Sequence, residues 1–208
     1  MNRPTPKTSP YTILHTELPD NVLEGIISTI DDAGIRATPG ARVLGDDIQH
    51  KAHRIRDTNN ARLPGNHWYF GMIWYFIMRM NDWNFQYNID SFDGDSIQYL
   101  EYGPGQHYTW HTDMIMPVIT RHIPRLGIMP PTGEEKVRKL SFSLMLNDDY
   151  EGGDLQFYFP ATLRGRQTIP KKKGTLIIFD SRIVHRVTRV REGKRKSIVG
   201  WVVGPRWK

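Results

Sequence analysis

From Ser96 onward the apolar residues fall in short runs cut by glycine, proline and aspartate, and this rhythm constrains the fold more than any other feature of the chain. Leu140-Ser-Phe-Ser-Leu-Met-Leu146 alternates apolar with small polar residues, the two-residue period of a strand with two different faces. Asn147 to Gly153 supplies turn chemistry before Asp154-Leu-Gln-Phe-Tyr-Phe159, and the runs Gly174 to Phe179 and Lys196 to Val203 continue the series. Upstream the period is helical. Asp20 reads as an N-cap, and Val22, Leu23, Ile26, Ile27 and Ile30 keep one helix face apolar until Gly34. His67 to Asp82 is apolar almost all round, which predicts a second, heavily buried helix. The expected fold is therefore mainly β: a double-stranded β-helix, or jelly roll, with the N-terminal helices packed on the outer face of one sheet.

The 208 residues suffice for one well-buried domain, expected over 11–208, with helical support at about 18–82 and the β core at about 96–203. Residues 1–10 carry three prolines and read as a flexible lead-in. The stretch 114–139 breaks the strand rhythm with Pro117, Pro124, Gly127, Pro130 and Pro131, and is expected to be a lid over a substrate, a plain surface insertion being the alternative.

There is no cysteine, which excludes disulfides, thiolate metal sites, iron–sulfur clusters and thiol nucleophiles together, so any metal must be held by histidine and carboxylate. The N-terminus lacks a signal-peptide apolar core and the run Phe70 to Met78 cannot span a bilayer, so a cytoplasmic protein without membrane contact is expected. The net charge of +6 raises the question of a nucleic-acid partner. Its densest cluster, Arg182 to Lys196, lies on predicted strands and reads as a solvated face; Arg121, His122, Arg125 and Lys136 would be the residues to line a groove if there were one.

His111-Thr-Asp113 is the starting point for chemistry, because a strand's period would bring both side chains to one face. A second histidine from a distant strand, His185, would complete a two-histidine, one-carboxylate set that leaves open positions on an octahedral metal. The triplet alone is a weak signal, as His15-Thr-Glu17 illustrates. Its company strengthens it: Arg195 follows His185 by ten residues, with Ser197 and Trp201 on the same predicted strand. If Fe(II) chelates one end of 2-oxoglutarate, the distal carboxylate needs a fixed cation, and the planar fork of Arg195 suits it, with Ser197 adding a hydrogen bond. Tyr102 is placed to bond that cosubstrate and Tyr108 to face the open metal positions, although each tyrosine reads equally well as core. Trp110 and Trp201 are further candidates for substrate contact.

The segments Tyr102-Gly-Pro-Gly-Gln-His-Tyr-Thr-Trp-His111-Thr-Asp113, Asp149-Tyr-Glu-Gly-Gly-Asp-Leu155, and Lys173 through His185 to Ser197 together resemble the prolyl 4-hydroxylase branch of the 2-oxoglutarate/Fe(II) dioxygenases, over roughly Ser96 to Trp201. The resemblance implies a double-stranded β-helix, Fe(II) on His111, Asp113 and His185, and 2-oxoglutarate on Arg195. It also implies O2 as oxidant, succinate and carbon dioxide as co-products, hydroxylation of an unactivated C–H bond, and ascorbate as an accessory reductant. A prolyl residue in a peptide or protein is the expected substrate. The long insertion departs from the family's usual spacing and leaves that substrate open. Action on nucleic acid or a free small molecule, a different divalent ion in the same triad, and a catalytically silent jelly-roll binding protein are the alternatives; retention of all three ligands and Arg195 speaks against the last.

Overall fold

The computed structural model describes residues 9–15, 18–39, 55–114, 136–160 and 165–207. Its larger sheet is centred on β8 (Lys136–Met145) and β15 (Arg195–Pro205), which pair antiparallel along most of their length. To one side lie β12 (Thr175–Asp180) and β1 (Tyr11–His15); to the other lie β6 (Gln98–Tyr102), β4 (Asn59–Arg62) and β2 (Thr38–Pro39), with β5 (Ser91–Phe92) also pairing β15. The smaller sheet runs in the order β11 (Gly165–Thr168), β10 (Leu155–Phe159), β13 (Val184–Val187), β7 (His107–His111) and β3 (Arg56–Asp57). A short ribbon joins β9 (Glu151–Gly152) to β14 (Val190–Glu192). This is the double-sheet jelly roll that the alternation predicts.

The alternation in β8 divides the molecule into layers. Leu140, Phe142 and Leu144 enter one apolar cluster with Leu176, Ile178 and Ile198, while Met145 joins Ile177, Phe179, Leu155 and Phe157 between the sheets. Two helices cover the first cluster: α1 (Asp20–Asp32) buries Leu23, Ile26 and Ile30, and α2 (Tyr69–Met80) buries Tyr69, Phe70, Ile73 and Ile77. Each such side chain contributes about 1.5–3 kcal/mol by leaving water, so the helical layer is a principal source of the larger sheet's stability.

Four local expectations need correction. Pro19, not Asp20, holds the cap position of α1; Asp20 is the first helical residue, where its charge suits the helix dipole and pairs with Lys173 at 3.0 Å. The second helix starts at Tyr69 and passes into a π-helical turn, Asn81–Phe85, because the buried Asn81 amide bonds both the N–H and the C=O of Tyr87 at 3.0 Å and draws the chain round. Residues 136–139, expected in the insertion, belong to β8, where Arg138 pairs with Val203; the remainder of the expected lid, 115–135, lies outside the described residues. Of the expected lead-in, Ser9 and Pro10 are tied down by bonds to Asn84 and Asp180, and 1–8 lie outside the described residues. No described helix is long and apolar enough to cross a membrane.

One irregularity positions the site. His111 of β7 stands opposite His185 of β13, and Tyr108 stands opposite Val187, so three steps on β7 match two on β13. The extra residue is a β-bulge, and it brings Tyr108 to the same face as His111, where strict alternation would have put the two on opposite faces.

Candidate active site

His111 and His185 meet as a cross-strand pair, with ring centroids 4.1 Å apart. Each fixes its own ring through the backbone two residues earlier: Nδ1 of His111 lies 2.7 Å from the Thr109 carbonyl, and Nδ1 of His185 lies 2.9 Å from that of Ile183. A carbonyl can only accept, so Nδ1 carries the hydrogen and Nε2 presents its lone pair inward on both rings.

Asp113 arrives by another route. It lies past the end of β7, so the two-residue period expected to align it with His111 does not operate. Its N–H donates to the Ser181 carbonyl at 3.0 Å, and this turns the carboxylate back towards the rings. The carboxylate oxygens stand 3.7 Å from His111 Nε2 and 3.4 Å from His185 Nε2, and all three donor atoms lie within 4.8 Å of one another. A divalent ion about 2.1 Å from each donor separates neighbouring donors by about 3 Å, so a small contraction is enough to close the set on a metal.

Electrostatics leave two of the donors, His111 and Asp113, in the protonation states a metal needs. Burial, reinforced by the adjacent His185, pushes the His111 imidazole down to about 4, so it is neutral at ordinary pH. Burial alone would raise the Asp113 carboxyl, but the two imidazoles, with Trp201 and Ser141 beside them, hold it below the usual carboxylate range. At neutral pH His111 thus offers a lone pair and Asp113 an anion, and metal binding need displace no proton from either.

These donors open onto a cavity of about 920 Å³ between the sheets, and Arg195 lies on its wall. Arg195 is only 1% exposed; its Nη1 donates to Ser197 Oγ at 2.9 Å, its guanidinium lies 5.5 Å from the Tyr102 ring centre, and its Nε has no partner. Among the described residues no carboxylate forms an ion pair with it. A buried cation left so costs several kcal/mol unless an anion joins it, so the geometry fits a carboxylate ligand approaching through the cavity. The glycine pair in Asp149-Tyr-Glu-Gly-Gly-Asp154 explains itself here. Gly153 has φ +60°, and a Cβ on it would press to 3.0 Å from Val190 and 3.3 Å from the Arg195 stem.

The remaining predicted residues divide. Tyr102 is buried on the cavity wall beside Arg195. Tyr108 stacks on His111 at 3.5 Å and 16°, and burial pushes its phenol up to about 12, so it faces the cavity as a protonated hydroxyl. Trp201 lines the cavity with the Arg138 guanidinium 3.8 Å above its ring. Trp110 does not: as the strand neighbour of His111 it points to the outer face of the smaller sheet, against Tyr158 and Arg186, away from any substrate in this cavity. Sequence reading missed Arg56, Arg62, Gln98 and Arg138, all of which line the cavity. Arg56 and Arg62 sit on strands of two and four residues, too short to show a period, and Arg138 fell within the expected insertion.

Comparison with known proteins adds the family. A PKHD-type hydroxylase of Crocosphaera subtropica is 31% identical over 110 residues, 51% of this chain and 42% of that protein. A PKHD-type hydroxylase of Parvibaculum lavamentivorans is 38% identical over 65 residues, 30% of this chain and 28% of that protein. The aligned part thus spans less than half the length of either relative. The crystal structure of a Pseudomonas putida prolyl-4-hydroxylase superposes with a TM-score of 0.64 at 17% identity, covering 95% of this chain and 94% of that one. A Trichoplax adhaerens prolyl hydroxylase, solved with a peptide fragment of the hypoxia inducible factor oxygen degradation domain, gives 0.65 at 18% identity, covering 94% and 84%. These likenesses show a shared fold. The profile of the 2OG-Fe(II) oxygenase superfamily matches residues 97–203, the stretch that contains the three donors and Arg195, and on that match the chain belongs to this superfamily, whose cofactors are Fe(II), 2-oxoglutarate and O2.

Proposed function

We propose that the chain is a 2-oxoglutarate-dependent hydroxylase that oxidises an unactivated C–H bond, with a prolyl residue in a peptide or protein as substrate and succinate and carbon dioxide as co-products. The observation that carries this reading is the single cavity shared by the His111, Asp113 and His185 donors and by Arg195, a buried guanidinium without an acidic partner among the described residues. The three donors would hold Fe(II), which supplies the redox chemistry that activation of oxygen requires. Arg195 and Ser197 would receive the distal carboxylate of 2-oxoglutarate and fix its orientation. The Tyr108 phenol, protonated and stacked on His111, offers a hydrogen-bond donor beside the open positions, and Leu155, Phe179 and Val187 supply apolar wall near the donors.

Hydroxylation is supported by the relatives' name, and a prolyl peptide as substrate by the two prolyl hydroxylases of like fold, one of them solved with a peptide fragment. The test is succinate formation from 2-oxoglutarate by purified protein with Fe(II) under air, with proline-rich peptides, single-stranded oligonucleotides or no substrate. Stimulation by a peptide and a mass gain of one oxygen on it are expected. Stimulation by oligonucleotides alone would replace the peptide by nucleic acid, and absence of any turnover with the metal bound would return the chain to the binding-protein alternative. A cytoplasmic location and a gain from ascorbate form part of the same proposal, to be checked by cell fractionation and by turnover with and without the reductant.

A further inference from the structure

The cavity wall holds two further arginines, Arg56 and Arg62. Arg62 on β4 stands directly opposite Gln98 on β6, which puts the two side chains on one face of the larger sheet. Arg56 reaches the same point from the smaller sheet: its Nη2 donates to Gln98 Oε1 at 3.0 Å, its guanidinium lies 5.0 Å from the Tyr108 ring centre, and its buried Nε has no partner. Both arginines line the cavity, with Arg62 exposed at its outer end. Among the described residues neither forms an ion pair, and Asp113 is the one carboxylate on the cavity wall.

Neighbouring cations differ. Arg138, also on the wall, is held by Asp93 at 2.7 Å. The surface cations Lys171, Lys173, Arg191 and Lys194 are each paired with an acid. Besides Arg195, unbalanced positive charge on the wall therefore lies at Arg56, beside Tyr108, and at Arg62. One guanidinium bonded to the Gln98 amide and a second on the cross-strand neighbour of Gln98, both on the wall of one cleft, attract an anion and penalise a neutral group in its place.

We propose that Arg56, Arg62 and Gln98 form a second anion subsite that selects a substrate carrying a carboxylate, namely a peptide with an acidic residue close to the residue that is hydroxylated. This rests on the proposed function and adds the substrate's charge to it.

The test uses binding instead of turnover. The protein is loaded with Zn(II) and 2-oxoglutarate and titrated calorimetrically with acetylated, amidated heptapeptides that have a central proline flanked by either two glutamates or two glutamines. The glutamate peptide is expected to bind about tenfold tighter, with the gap narrowing as salt is raised. The double substitution Arg56→Gln with Arg62→Gln should abolish the gap, and Arg56→Lys with Arg62→Lys should keep most of it. Equal binding of both peptides to the wild-type protein, binding of neither, or a gap that survives in the glutamine variant overturns the proposal. N-acetylglutamate binding as tightly as the glutamate peptide would uphold the anion subsite but make its occupant a free acid. Because no turnover is measured, failure of the hydroxylase reading leaves this outcome intact. Conversely, wild-type protein that turns over 2-oxoglutarate yet ignores peptide charge sinks the subsite alone.

Discussion

Ser197 Oγ accepts a 2.9 Å hydrogen bond from Arg195 Nη1, two residues back on the same strand and on the cavity wall. The serine satisfies one of five guanidinium hydrogens and supplies no negative charge, so Arg195 is oriented without being neutralised. That arrangement makes Arg195 costly to the empty fold and available to a ligand.

Arg195→Met should therefore separate stability from cosubstrate binding. The melting temperature of the ligand-free protein is expected to hold or rise, because a buried unpaired charge is replaced by an apolar chain. The 2-oxoglutarate concentration needed for half-maximal turnover should rise by at least about 30-fold, the equivalent of losing about 2 kcal/mol of charged hydrogen bonding. An unchanged requirement would place the anchor elsewhere.

Asp113→Ala removes the only anionic donor of the three. Titration with Co(II) or anaerobic Fe(II) should show metal affinity falling beyond the about 100-fold that loss of an outer-shell partner costs, and turnover disappearing with it. Tight binding in this variant would refute the ligand assignment.

The metal-free protein should lose stability in mild acid through His111. Its folded-state pKa is about 4 against 6.5 for the free side chain, so the unfolded chain binds the extra proton between those values. Stability from this group is complete above about pH 6.5 and drains as the pH falls towards 4. Thermal melts of wild-type and His111→Gln protein across that window check the sign: the wild type should lose more on acidification, and parallel curves would contradict the shift.

Gly153→Ala tests the close approach beside the anchor. The positive φ and the crowding of Val190, Tyr150 and the Arg195 stem predict a loss of about 1–3 kcal/mol, read from denaturant melts, together with weaker 2-oxoglutarate binding as the guanidinium shifts. Destabilisation without any change in 2-oxoglutarate affinity would show that Gly153 serves the turn and not the pocket.

What could be read from the chain beforehand follows from how each feature is encoded. The layering of β8 is written in its alternation, since Leu140, Phe142 and Leu144 must leave water on the same side. Arg195 was legible because a desolvated guanidinium needs a reason, and its spacing from His185 and Ser197 supplied one. Trp110 follows from alternation, since the neighbour of an inward His111 must face out, but Tyr108 could not be placed, because the bulge that brings it to the His111 face leaves no mark in polarity. Asp113 was placed on the right side for the wrong reason: a single backbone bond to Ser181 does what strand periodicity was expected to do. Arg56 and Arg62 acquire meaning only when two sheets converge on Gln98, a relationship with no local signature.

The cross-strand pairing of His111 with His185 also bears on how the smaller sheet assembles. Sliding β13 past β7 by one residue would turn His185 away from the interior and replace it with Val184 or Arg186, neither able to coordinate a metal. A bound ion thus acts as a proofreader of strand register, rewarding one alignment and ignoring its neighbours, so metal captured during folding would select the sheet that later uses it.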